Sequence, residues 1–189
     1  MRRLIAAVAL LAGAAAVPTT LLAQGMAPHH EFGVDVGLGV LSPSGGSSHF
    51  VLATPVDVRL GFVSASPLSW EGRLTLIYDS RGYGSNAAYS LAPDIQALLK
   101  LGKGGGPRGL LGAYETAGMG LDFRDAPNGT GGTNSTALLR INGGIGDRLP
   151  YGSGAVRIEG FVAYDFKSTT LGVPATVEVG ARVGLSLWH

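Results

Sequence analysis

The sequence predicts an all-β protein: an eight-stranded antiparallel barrel whose strands meander up and down through a membrane. Three observations predict it. Apolar and polar residues alternate with period two along about eight segments, as they do when an extended strand sends successive side chains to opposite faces. The polar faces carry many glycines beside isolated charges of both signs, which suits a narrow interior better than a surface in water. The chain is also apolar without a spanning helix. Charged residues are 14% of its 189 residues and mean hydropathy is positive, yet no apolar run reaches the roughly 20 residues a membrane helix needs.

The strands follow in order. In the first, Phe32, Val34, Val36, Leu38 and Val40 enclose Gly33, Asp35, Gly37 and Gly39. In the second, Val56, Val58, Leu60 and Phe62 enclose Asp57, Arg59 and Gly61. The third alternates Trp70, Leu74, Leu76 and Tyr78 with Glu71, Arg73 and Thr75. The fourth runs from Tyr89 to Leu101 with Ser90, Asp94, Gln96 and Lys100 on its polar face. The fifth, about Gly109 to Phe123, fits the pattern less well. In the sixth, Ala137, Leu139, Ile141 and Ile145 alternate with Arg140, Asn142 and Gly144. In the seventh, Val156, Ile158, Val162, Tyr164 and Phe166 alternate with Arg157, Glu159 and Asp165. The eighth has the cleanest alternation: Val177, Val179, Ala181, Val183, Leu185 and Leu187 share one face, and Glu178, Gly180, Arg182, Gly184 and Ser186 the other. It runs to the chain terminus, as the closing strand of a barrel does.

The N-terminal residues belong to a different class. Arg2 and Arg3 precede the apolar run Leu4 to Val17, and Ala23-Gln24-Gly25 places small residues before a cut. This order predicts a secretory signal peptide over residues 1–25, cleaved after Gly25, with cleavage after Ala23 as the competitor. The barrel domain then spans 26–189. Removing residues 1–25 takes away two arginines and no acids, so the net charge moves from +1 to −1. A near-neutral chain without a basic run excludes nucleic acid as a partner. The chain has no cysteine, which removes disulfides, thiolate catalysis and thiolate metal sites.

The mixed charges on the polar faces are expected inside the barrel as a lumen charge network: Asp35, Asp57, Arg59, Glu71, Arg73, Asp94, Arg140, Arg157, Glu159, Glu178 and Arg182. Eight strands enclose an interior that side chains just fill, so the lumen is expected to be plugged by internal ion pairs. Connections after strands one, three, five and seven (42–48, 79–88, 124–135 and 167–175) read as long or polar. Those after strands two, four and six (64–68, 102–108 and 147–154) read as shorter. Bacterial barrels show this alternation of external loops and periplasmic turns. Residues 26–189 shared among eight strands leave about 20 residues per strand and connection, against the roughly 9–11 a membrane strand requires. Phe32, Phe50, Trp70, Tyr78, Tyr89, Phe123, Tyr151, Phe166 and Trp188 sit near strand ends, where interfacial girdles form.

On these residues the chain resembles the small eight-stranded outer-membrane barrels of the OmpA, OmpX and opacity-protein type. The resemblance covers residues 26–189 and is most specific in the last strand. Members of that family end in an aromatic residue preceded by apolar residues at every second position. Leu185, Leu187 and His189 occupy that frame, so His189 stands where phenylalanine is usual and Trp188 lies in the other parity. The resemblance implies outer-membrane lipid as the surroundings and the barrel-assembly machinery as a partner reading the last strand.

Few residues outside the network suggest chemistry. Ser47 and His49 share a parity, and a serine–histidine pair with an acid can form an acyl-transfer site. Some outer-membrane barrels are lipid A deacylases, but no acid is locatable here by spacing, and the resemblance does not extend to their motif. His29 and His30 are adjacent and face opposite sides, so they form no chelate. Gly102-Lys103-Gly104-Gly105-Gly106 lacks the serine or threonine of a phosphate-binding loop and reads as a turn. Asn128-Gly129-Thr130 and Asn134-Ser135-Thr136 match a glycosylation sequon and read as exposed polar loop. Glu115 falls on the apolar parity of the fifth segment; a β-bulge near Tyr114 is expected to turn it inward, the alternative being a subunit contact. No cofactor and no metal site is predicted. The reading is a non-enzymatic structural or surface-interaction barrel, with a lipid-modifying enzyme, a narrow channel and a soluble lipocalin-like barrel as alternatives.

Overall fold

The computed structural model describes residues 30–62, 66–79, 88–105, 109–127, 133–152, 154–169 and 172–188. The segment expected to be a signal peptide lies outside the described residues, as do His29, Asn128 and His189. Eight strands form: β1 (His30–Pro43), β2 (His49–Phe62), β3 (Leu68–Asp79), β4 (Ala88–Lys100), β5 (Gly112–Pro127), β6 (Thr133–Tyr151), β7 (Gly154–Asp165) and β8 (Thr176–Trp188). Each pairs antiparallel with the next, and β8 pairs back onto β1, so the sheet is a closed up-and-down barrel. Closure leaves no strand edge with unpaired backbone groups, the condition for crossing a bilayer with strands.

The register sets the tilt. Cross-strand partners lead from Phe32 through Leu60, Gly72, Ile95, Met119, Ile141, Tyr164 and Val177 back to β1 at Ser42. The path rejoins its strand at position 42 instead of 32, ten residues on. This stagger accompanies the strongly tilted strands of a narrow barrel.

The barrel is inside out relative to a soluble protein. From His30 to Leu41 of β1 the residues alternate between exposed and buried, and the buried set includes Glu31 and Asp35 while Phe32, Val34, Val36, Leu38 and Val40 face outward. The same holds around the wall: Ile95, Met119, Ile141, Val162, Val179 and Val183 are exposed, and Arg59, Glu71, Arg157, Glu159 and Glu178 are buried. A continuous apolar belt of this kind far exceeds the patches that water tolerates. Aromatics flank it at both ends. Phe32, Phe62, Trp70 and Tyr151 lie at the end that holds His30 and Trp188; Phe50, Tyr78, Tyr89, Phe123 and Phe166 lie at the other.

Three expectations need correction. β2 starts at His49, well before the apolar alternation at Val56, and β5 and β6 continue their ladder out to the pair Pro127–Thr133. Polar inward residues such as Arg124 and Thr136 extend these strands beyond the region where hydropathy reveals them. The connections 124–135 and 147–154 therefore shrink to 128–132 and 152–153, and the length asymmetry between the two ends is weaker than the sequence suggests. The fifth segment is a regular strand once Tyr114 is placed inside.

Glu115 is also not turned inward. The β5 register with β6 is unbroken from Gly112 to Pro127, and the partners of β4 keep one frame from Tyr89 to Lys100. Tyr114 is fully buried and Glu115 is exposed. A bulge there would have expelled Tyr114 from its lumen contacts. Glu115 lies a few residues from the start of β5, opposite Leu99 near the end of β4. At that depth an outward carboxylate costs little, about 0–1 kcal/mol. The register does shift between β1 and β2, between Val36 and Leu38. There Pro55 packs beside Gly37, and proline cannot donate to the ladder.

Candidate functional site

The lumen carries the chemistry of this molecule. All eleven residues of the expected charge network are buried, and each lies on an inward strand face. Ten of them take part in two clusters of ion pairs; Asp94 does not.

The larger cluster fills the half of the lumen nearer the chain termini. Arg59 Nε lies 2.5 Å from Asp35, and its Nη1 lies 3.1 Å from Glu31 and 3.3 Å from Glu71. Glu71 also receives Arg157 at 2.6 Å and Arg73 at 2.8 Å. Glu159 is shared by Arg157 at 2.6 Å, Arg73 at 3.3 Å and Arg182. Arg182 reaches on to Asp57 at 2.7 Å, and Arg148 reaches Glu31 at 2.7 Å. Tyr114 is the pivot of this layer: Arg157 Nε donates to its hydroxyl at 2.5 Å, and the hydroxyl donates to Glu159 at 2.9 Å. The guanidiniums of Arg148 and Arg157 also stand over its ring, 4.8 and 4.5 Å from the centroid.

The second cluster lies toward the other end. Arg140 binds Glu178 at 2.6 Å and Asp165 at 3.2 Å, and Arg124 binds Asp122 at 2.5 Å and Asp165 at 2.8 Å. Ser90 donates to Asp122, and Arg124 donates to Thr176 at 3.3 Å. Burying charges is tolerable only when they are paired and hydrogen-bonded. Guanidiniums suit the task because their forked donors can serve several carboxylates at once.

The glycines of the polar faces are what admit these side chains. A Cβ on Gly146 would overlap the Tyr114 hydroxyl, and one on Gly184 would overlap Asp35. Long charged side chains lie across neighbouring strands in the space that glycine leaves, so charge and glycine enrichment are two sides of one packing solution.

Five participants escape the sequence reading: Glu31, Tyr114, Asp122, Arg124 and Arg148; Asp165 lies on the polar face of the seventh segment but outside the expected network. Parity could have found them. Glu31 is in phase with Asp35 and Arg148 with Arg140, as Asp165 is with Arg157 and Glu159.

Solved structures of similar shape place this geometry. The structure of Neisserial surface protein A superposes with a TM-score of 0.59, covering 85% of this chain and 98% of that one at 14% identity. That of Ail, the attachment invasion locus protein of Yersinia pestis, superposes with a TM-score of 0.58, covering 86% and 100% at 9% identity. The fold is that of the small eight-stranded outer-membrane barrels. No protein-family model matches the chain, and no curated protein matches it in sequence. A closed barrel with an apolar outside and a charged inside is a way of crossing a bilayer with strands.

On this barrel the remaining sequence candidates fall as follows. His49 opens β2, and its Nδ1 lies 3.4 Å from the backbone carbonyl of Ser47; the contact is to the main chain and not to the serine hydroxyl. His30 stacks edge-on against Phe62 with ring centroids 5.6 Å apart. Gly102 takes a left-handed φ of 75°, and the turn closes through paired bonds between Gly105 and Leu111 at 3.1 and 2.9 Å. Asn134 lies in β6, paired with Ala126. Among the described residues there is no group of three or more histidine, cysteine or acidic side chains placed to hold a metal ion.

Proposed function

We propose that the chain is a non-enzymatic integral outer-membrane barrel with a plugged lumen, serving as a structural or surface-interaction protein. The observation that carries this reading is the pair of ion-pair clusters across the lumen, in which every arginine is engaged by at least one carboxylate. Opening a continuous water path would require several of these pairs to separate together. The connections 44–48, 80–87, 128–132 and 166–175 share the end opposite the termini, which in bacterial barrels faces outward. They are the surface through which a partner would be met. The names of the two structural neighbours, a surface protein and an attachment invasion locus protein, support that use of the fold. Outer-membrane lipid surrounds the belt in this reading, and β8 is the strand presented to the barrel-assembly machinery.

The chain should fractionate with outer membranes, migrate differently on gels before and after heating, and remain silent in planar bilayers. Release as a soluble periplasmic monomer, or steady single-channel steps, would overturn the reading. Vesicles bearing the barrel should adhere to a panel of cell surfaces more than vesicles bearing a variant with 80–87 and 128–132 replaced by short turns. Equal adhesion leaves only the structural role.

A further inference from the structure

The buried charges of the lumen do not balance. Nine carboxylates are buried among the described residues (Glu31, Asp35, Asp57, Glu71, Asp94, Asp122, Glu159, Asp165 and Glu178), against seven guanidiniums. The larger cluster is even, five against five. The excess lies in the outer cluster and at Asp94.

Asp94 is the one buried carboxylate among the described residues without an ion pair. Its cross-strand neighbour Arg73 is engaged by Glu71, Glu159 and Asp57 at 2.8, 3.3 and 3.7 Å, and Arg140 by Glu178 and Asp165. Asp94 sits instead in a neutral cradle. Asn142 donates through Nδ2 to Asp94 Oδ2 at 3.1 Å and accepts Gln96 Nε2 at 2.7 Å. Asn142 is on β6 and the other two are on β4. The bridge between them passes over Gly118 and Gly120 of β5, the register partners of Gln96 and Asp94. A Cβ on Gly118 would lie 2.6 Å from Gln96 Cγ, and one on Gly120 would lie 2.6 Å from Asp94 Cβ. The glycines are therefore a condition for the cradle.

Two oxygens of the cradle, Asp94 Oδ1 and Gln96 Oε1, have no hydrogen-bond partner although their residues are only 7% and 1% exposed. Both are acceptors. A buried carboxylate without a compensating cation is strongly disfavoured, and unpaired acceptors call for a donor or a positive ion.

We propose that the cradle of Asp94, Gln96 and Asn142 binds one hard monovalent cation in the middle of the lumen, between the two ion-pair clusters. Oxygen-only donors select a hard cation. A single carboxylate falls short of the charge and ligand number that calcium takes. The inference goes beyond the structural and surface role: it concerns the plug itself and holds whichever partner meets the loops.

Rubidium ion is the probe. Crystals of the refolded barrel grown in rubidium chloride should show one anomalous peak in the lumen, within coordination distance of Asp94 Oδ1. The same peak should be absent from Asp94→Asn. In detergent, rubidium chloride should raise the melting temperature of the barrel above that in an equal concentration of N-methylglucamine chloride, whose cation is too large to enter. Asp94→Asn should remove that difference. A lumen without an anomalous peak overturns the proposal even if the variant fails to fold, because the unmodified barrel decides it. So does an infrared band of a protonated carboxyl that disappears in Asp94→Asn, since a proton then fills the place assigned to the cation.

Discussion

Arginine in place of Met119 should destabilise the inserted barrel by about 2–4 kcal/mol, the cost of a cationic side chain near the bilayer midplane on the lipid face. Met119 is 66% exposed and lies near the middle of β5. Its cross-strand partners Ile95 and Ile141 also face outward, so the new guanidinium would find no carboxylate beside it. At about 1.4 kcal/mol per tenfold change, the folded-to-unfolded ratio should fall by roughly 30-fold to nearly 1,000-fold. Placing arginine at Glu115, near the start of the same strand, should cost only about 0–1 kcal/mol. Reversible urea unfolding in phospholipid vesicles measures both, with tryptophan fluorescence as the signal. Trp70 and Trp188 are the chain's two tryptophans, and both lie at the rim near the termini. In a water-exposed barrel, an outward arginine at Met119 would be neutral within about 0.5 kcal/mol. A difference that small, or equal costs at the two positions, refutes the lipid-facing assignment.

Other substitutions test the interior by the same unfolding assay. Arg59→Met leaves Asp35 without a basic partner while Glu31 keeps Arg148 and Glu71 keeps Arg73 and Arg157; removing one member of a buried pair should cost about 3–5 kcal/mol, and adding Asp35→Asn should recover part of it. A single-variant loss under 1 kcal/mol would mean that the cluster is hydrated and loosely held. Tyr114→Phe keeps the ring beneath two guanidiniums but deletes the hydroxyl between Arg157 and Glu159, for an expected loss of about 1–3 kcal/mol; unchanged stability would assign the residue's role to its ring alone. Gly120→Ala drives a methyl group into the Pro93 carbonyl and Asp94 and should cost about 1–3 kcal/mol, whereas a stability equal to the parent would show that β4 and β5 can separate locally.

The architecture was largely legible because a strand has period two and a closed barrel uses both faces. Val177 to Leu187 states the rule within one strand, and Phe32 to Val40 repeats it on the strand that β8 joins. What hydropathy could not read were the stretches where the outward residue is not apolar or the inward one is too small to count. Glu115 is of the first kind and Gly118 and Gly120 of the second, so β5 looked irregular although its ladder is continuous. Arg124 and Arg148 were missed because they lie beyond Phe123 and Ile145, where the outward-parity residues Asp125 and Asp147 break the apolar alternation; Asp122 falls within the fifth segment, whose alternation is already weak.

The sequence by itself determined the class of solvent on each side of the wall. Side-chain parity follows from the chain alone, and inverted parity has few stable outcomes other than a membrane barrel. It also put eleven of the enclosed charges on the inward parity, though not Glu31, Asp122, Arg124 or Arg148. The tertiary structure decided how they are paired: Arg59 meets Glu31, Asp35 and Glu71 on two other strands, and Arg182 meets Asp57 across the β1–β8 seam. Those choices depend on the stagger of ten residues around the barrel, a property of closure that no single strand encodes. The same closure leaves Asp94 with amides in place of a guanidinium, because the register that sets Arg73 beside it also brings Glu71, Glu159 and Asp57 within that arginine's reach.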